Sequence, residues 1–229
     1  MDARALVVRR HLLKITGRSR RSSQPLVEHS PTSLAWPRPS LVCYNRSAIE
    51  GCAMRYYQRT ELITKLKEVA LLEGDFLLRS GKRSKYYLDK YLFEGIPSIL
   101  RSLAHHMARL VPEDITRLAG VELGGIPVVT ALSMETDIPC IFVRKQAKDH
   151  GQSKLVEGVY EPGDRVLMIE DVVTTGGQLI EMIGYMKEQM GLSVVGVIAV
   201  LDRNEGSRKA FAELGLPFNA LFSREDLGF

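Results

Sequence analysis

From Met54 onward the apolar positions fall into short periodic runs punctuated by glycine, proline and acidic residues. In 60–72, TELITKLKEVALL, Leu62, Leu66 and Val69 or Ala70 share one face at helical spacing. This predicts an amphipathic helix that stops near Gly74. Residues 75–93, DFLLRSGKRSKYYLDKYLF, read as two short strands around a Ser80–Gly81 turn. Pro97 opens a second helix over 98–110, as proline suits a first helical turn. Beyond Pro112 the pattern alternates. Strands are predicted at 117–122, 140–145, 165–172 and 193–202, with a last one at 218–222. Helices are predicted at 126–136, 179–190 and 205–215, the last two closed by Gly191 and Gly215. Strands 165–172 and 193–202 are apolar on both faces over most of their length. The expectation is therefore an α/β fold, a central parallel sheet flanked by helices. Such sheets bind ligands beyond the carboxyl ends of their strands. That directs attention to 121–125, 144–150, 170–178 and 202–206, where the glycine and polar residues gather.

The first fifty residues follow no such pattern, and charge separates them further. Residues 1–50 hold nine Lys or Arg against three Asp or Glu, whereas 51–229 hold twenty-two against twenty-four. The net charge of +4 thus belongs to an Arg-, Ser- and Pro-rich segment, 1–53, set before a domain at 54–229. That segment reads as a flexible tail, as translated sequence upstream of a start at Met54, or as a targeting or nucleic-acid-contacting arm. The domain itself carries no general signal for a polyanion, so no nucleic-acid partner is expected. No run of eighteen apolar residues suggests a membrane span. Cys43, Cys52 and Cys140 form neither a disulfide framework nor a zinc knuckle, which fits a reducing, cytoplasmic setting.

The strongest local pattern is VLMIEDVVTTGGQ, 166–178. A buried strand ends in Glu170 and Asp171. Thr174, Thr175, Gly176, Gly177 and Gln178 then turn into a helix. Glycines let backbone N–H groups approach a phosphate, threonines add hydroxyl donors, and the helix N-terminus adds positive potential. The two carboxylates suit a cationic transition state, or magnesium directly or through waters. The bland reading is a strand followed by an ordinary capped helix. Neither a Walker loop nor a dinucleotide fingerprint is present. A second pattern, FVRKQAKDHGQSKLVEGVYEPG at 142–163, carries Arg144, Lys145, Lys148, His150 and Lys154. Its length and polarity predict a mobile loop. A cationic lid would hold a diphosphate leaving group and exclude water from the reacting centre. A solvated charge run is the alternative.

Residues 166–178 resemble the signature of the type I phosphoribosyltransferases, which use 5-phosphoribosyl 1-diphosphate. The loop R-K-x-x-K-x-H-G, with the following L-V-E-G, resembles that of the orotate phosphoribosyltransferases. The resemblance covers about residues 60–225. It implies the type I fold with a small N-terminal hood subdomain and a mobile catalytic loop. By the same resemblance Glu170 and Asp171 face the ribose, Thr174, Thr175, Gly176, Gly177 and Gln178 hold the 5′-phosphate, and Arg144, Lys145, Lys148 and His150 hold the diphosphate. Lys148, His150 and Asp171 are the expected catalytic residues. Tyr86 and Tyr87 are expected near the base, with Arg79 beside the nucleotide and Arg203 near the orotate carboxylate. Thr174 is also implied near the base. Gln178 departs from the small or hydroxyl residue common at its position. Some orotate enzymes have a lysine where this chain has Gly124.

The expected reaction joins orotate to phosphoribosyl diphosphate, giving orotidine 5′-phosphate and diphosphate. Mg2+ is the expected cofactor, held mainly through substrate and water, with no dedicated protein metal site. A homodimer that shares the catalytic loop across subunits is implied. The length leaves no room for a fused orotidylate decarboxylase. Transfer to a different base is the nearest alternative. A regulator that binds phosphoribosyl diphosphate without turnover is the alternative of a different class.

Overall fold

The computed structural model describes residues 55–77, 83–145 and 155–228. The predicted first helix is α1 (Arg59–Ala70), which buries Leu62, Leu66 and Ala70. It ends at Ala70, four residues before Gly74, where the stop is predicted. Leu71 leaves the helix to pair with Leu88, and Asp89 N–H donates to the Ala70 carbonyl. The chain thus passes directly into the antiparallel hairpin β1 (Leu71–Leu77) and β2 (Arg83–Leu88). This is the small N-terminal sheet expected of the hood.

The second strand of the pair is shorter than the sequence predicts and ends at Leu88. Residues after Leu88 form the short helix α2 (Lys90–Glu94), because Asp89 caps it by accepting from Tyr91 N–H and because Phe93 and Glu94 are buried. Pro97 opens α3 (Pro97–Ala108) as expected.

The remaining elements alternate: β3 (Arg117–Val121), α4 (Gly125–Thr136), β4 (Cys140–Val143), β5 (Val156–Glu157), β6 (Arg165–Val173), α5 (Gly177–Met190), β7 (Ser193–Asp202), α6 (Ser207–Glu213), β8 (Phe218–Ser223) and α7 (Arg224–Leu227). Among the described residues six strands form one sheet in the order β5-β4-β3-β6-β7-β8. Every pairing is parallel except β4 with β5. The two-residue edge strand β5 falls inside the segment predicted as loop. Strand periodicity cannot reveal a strand that short.

Both sheet faces are covered, as the apolar strands predicted. Leu167 and Ile169 join a core with α1, α3 and α4, while Val166 and Met168 join another with α5 and α6. Alternation along a single strand feeds both layers. Among the described residues no helix is long and apolar enough to cross a membrane.

Candidate active site

The sheet order itself selects the site. From β3 the chain moves outward to β4, and it then returns to the other side of β3 to lay down β6, β7 and β8. The order reverses between β3 and β6. The turns leaving those strands, 122–124 and 174–176, flank the crevice where open α/β sheets bind ligands.

A pocket of ≈ 220 Å³ opens there, lined by Lys90, Lys145, Glu170, Val172, Val173, Thr174, Thr175, Gly176, Gly177, Gln178 and Leu179. Seven candidates named from sequence meet in it: Lys145, Glu170 and all five residues of the 174–178 loop. Gly176 caps α5 with φ 81°. A Cβ there would press to 2.9 Å from the Phe211 ring. Glycine is thus required twice over, by backbone sign and by space. The first-turn N–H groups of α5 lack intrahelical acceptors, which makes this end suited to an anion.

Asp171 behaves differently from Glu170. Its side chain is fully buried behind the pocket. Its Oδ1 accepts from Val172 N–H, and its Oδ2 lies 2.5 Å from Lys90 Nζ. The same Oδ2 fills the space that a Cβ on Gly124 would need. No side chain of any kind fits at 124 with Asp171 in this position. Glu94 reaches the cluster from the end of α2, and neither of its carboxyl oxygens finds a hydrogen-bond partner among the described residues. Two carboxylates cannot donate to each other, so a proton on Glu94 is the physical resolution. Burial, then the Asp171 charge, pushes the Glu94 carboxyl up to about 9. Burial also raises Glu170, reinforced by hydrogen bonding to Asp171 and by its charge. For Asp171, burial pushes upward, but hydrogen bonding to Glu170 and the Lys90 ammonium overcome it and hold the carboxyl below its ordinary range.

The other candidates lie outside that lining. Arg144 Nε contacts Glu157 Oε1 at 3.2 Å, and its Nη1 stands 4.0 Å from Glu122. Glu122 also accepts from Lys145 N–H at 2.7 Å, tying the β3–α4 turn to the start of the basic segment. Arg203 follows β7, with Nε 3.2 Å from Glu205 Oε1. Asp202 is buried and held by Asn204 N–H, Ser207 Oγ and Arg208 Nε. Tyr86 and Tyr87 stand on β2, opposite Glu73 and Leu72. Tyr87 is exposed, and its ring lies 5.5 Å from that of Phe76. Arg79, Lys148 and His150 lie outside the described residues, as does Lys154. Sequence reasoning missed Lys90, Glu94 and Glu122, which show no motif. The only hint was an unusual density of charge in Asp89, Lys90 and Glu94 beside apolar neighbours.

Comparison with known proteins agrees with this geometry. Residues 94–211 match the model of the phosphoribosyl transferase domain. An orotate phosphoribosyltransferase of Methanocella arvoryzae is 39% identical over 169 residues, covering 73% of this chain and 96% of its own length. One from Pyrococcus abyssi is 43% identical over 157 residues, covering 67% and 86%. Among solved structures, the Mycobacterium tuberculosis orotate phosphoribosyltransferase in complex with Fe(III) dicitrate superposes with a TM-score of 0.67 at 32% identity, covering 75% of this chain and 99% of that one. An anion cup at the switch point, a carboxylate pair before it and relatives matched over nearly their whole length have one common explanation: the chain belongs to the orotate phosphoribosyltransferase family of type I phosphoribosyltransferases.

Proposed function

We propose that this protein transfers the 5-phosphoribosyl group from phosphoribosyl diphosphate to orotate, giving orotidine 5′-phosphate and diphosphate, a step of pyrimidine nucleotide synthesis. The observation that carries this reading is the cup itself. Thr174 to Gln178 surround a helix N-terminus at the switch point, with Glu170 and Lys145 on the same lining. A structural neighbour from Mycobacterium tuberculosis, 29% identical with a TM-score of 0.64, was solved in complex with 5-phospho-alpha-D-ribosyl 1-diphosphate.

In this reading Thr174, Thr175, Gly176, Gly177 and Gln178 bind the 5′-phosphate through backbone N–H and hydroxyl donors. Glu170 faces the ribose hydroxyls from the pocket. Asp171 acts from behind it, as a buried negative charge that favours positive charge building at the anomeric carbon. Arg144, Lys145, Lys148 and His150 serve the departing diphosphate, with Lys148 foremost. Tyr86 and Tyr87 supply aromatic surface for the pyrimidine, Arg79 lies beside the nucleotide, and Arg203 pairs with the orotate carboxylate. Support for Arg203 is its place just past the end of β7. Bond breaking runs ahead of bond making, so the protein positions reactants and stabilises charge.

Magnesium fits the donor chemistry. Oxygen donors suit a hard cation, and the pocket-facing Glu170 would help hold it, with substrate and water supplying the rest. Among the described residues no three His, Cys, Asp or Glu side chains converge to hold a metal by themselves. When bound, magnesium neutralises charge on the diphosphate.

The same reading includes a homodimer that shares the basic loop, a cytoplasmic setting consistent with the free thiol of Cys140, and a separate extension at 1–53 dispensable for turnover. The test follows orotate consumption by ultraviolet absorbance with phosphoribosyl diphosphate and magnesium, with uracil, adenine and hypoxanthine in parallel. Magnesium-dependent turnover of orotate alone is expected. Turnover of another base instead would remove the roles given to Arg203 and the tyrosines.

A further inference from the structure

Lys90 has no assigned role, yet it sits where the two switch-point turns meet. It is the first residue of α2, and its side chain is 27% exposed. Its ammonium contacts Asp171 Oδ2 at 2.5 Å while the side chain also lines the pocket with Glu170 and the phosphate loop. Asp171 Oδ2 marks the place where a Cβ of Gly124 would stand. Lys90 Nζ therefore lies beside the N-terminal turn of α4 on one side and faces the α5 cup on the other. Position 124 admits no side chain, so its turn offers no charge of its own to the crevice. Lys90, from α2, supplies one to the pocket lining. The cations on the described lining are Lys90 and Lys145.

We propose that Lys90 is a substrate-binding residue that holds the diphosphate group of the phosphoribosyl donor. This rests on the function proposed above. Asp171 keeps the ammonium at the pocket wall in the free protein. Donor binding lets it turn toward the diphosphate while staying within reach of Asp171. An ammonium has three N–H donors, and its ion pair with Asp171 leaves donors for a ligand. Burial works against the Lys90 charge, but the Asp171 carboxylate beside it more than compensates and raises its proton affinity. The side chain thus remains a cation throughout the working pH range. A purely structural partner for Asp171 would have no need of the pocket surface, whereas a ligand-binding lysine requires it. A donor on a short helix that also joins the hairpin carrying Tyr86 and Tyr87 to the core would sense both ends of the substrate pair.

The test compares the full-length wild type with Lys90→Gln and Lys90→Arg by calorimetry in magnesium buffer, using inorganic diphosphate and ribose 5-phosphate as separate probes. Losing one charge-assisted contact lowers affinity about 10- to 100-fold. Lys90→Gln is expected to lose that much for diphosphate and nothing measurable for ribose 5-phosphate. Lys90→Arg is expected to recover most of the diphosphate affinity, which also guards against misreading a folding defect. Unchanged diphosphate binding in Lys90→Gln would overturn the proposal. An equal loss for both probes would overturn it too, by assigning Lys90 only to holding Asp171 in place. Failure of the functional reading is separable, because the wild type would then neither bind diphosphate nor consume orotate.

Discussion

Replacing Glu94 by Gln tests the buried carboxyl cluster through its dependence on pH. Glu94 is 6% exposed, lies beside Asp171, and has its carboxyl pushed up from an ordinary 4.5 to about 9 by burial first and the Asp171 charge second. Between those values the folded protein binds a proton that the unfolded chain does not. The stabilisation from this group is complete below about pH 4.5 and is lost as pH rises through about 9. Each pH unit inside that window corresponds to about 1.4 kcal/mol, so the three units from about pH 5.5 to 8.5 set a ceiling of about 4 kcal/mol. Relaxation around the newly charged carboxylate offsets part of this, leaving about 2 kcal/mol. Gln cannot ionise, and its amide donates to Asp171 as the protonated Glu does. Urea unfolding of both proteins at the two pH values isolates the effect, since groups remote from the cluster cancel. The Gln variant is expected to match the wild type near pH 5.5 and exceed it by about 2 kcal/mol near pH 8.5. A difference between the two proteins that stays constant with pH would refute the proton on Glu94, and with it the account of its two unpartnered oxygens.

Four further outcomes follow from the same geometry. Gly176→Ala places a side chain at φ 81° and against Phe211; a stability loss of about 1–3 kcal/mol and a raised KM for phosphoribosyl diphosphate are expected, read by thermal melting and steady-state kinetics. Gly124→Ala forces Asp171 off its contact with Lys90, and should cost about 1–3 kcal/mol together with activity; a variant of normal Tm and full turnover would remove the constraint argued for position 124. Lys148→Ala is expected to lower kcat about 100-fold or more with a small change in orotate KM, if leaving-group charge is its concern. Arg203→Ala is expected to raise orotate KM about 10- to 100-fold while sparing phosphoribosyl diphosphate, as for one lost carboxylate pairing.

The extent to which the sequence was legible differs from one element to the next. The buried strands β6 and β7 were evident because their apolar runs are long and bounded by polar residues, and the 174–178 loop because glycine and threonine before a helix carry local meaning of their own. The end of α1 is not marked in the sequence: residues 71–73 contain no helix breaker, and the pairing of Leu71 with Leu88 draws the chain into a strand. Likewise α2 looked like more strand. Asp89 as its cap and the burial of Phe93 and Glu94 made it a helix.

What the sequence determined by itself was the α/β layering, the position of the anion cup and the family pattern, since these depend on periodicity and on residues adjacent along the chain. The tertiary structure alone decided how charge is arranged behind the cup. Lys90 and Glu94 meet Asp171 across about eighty positions of sequence, and Gly124 is kept bare by an oxygen of Asp171. Arg203 came out beside Glu205 and Arg144 between Glu157 and Glu122, ion pairs that composition cannot assign. Coulomb energy and desolvation depend on distance and burial in space, so they become readable only once packing has brought the groups together.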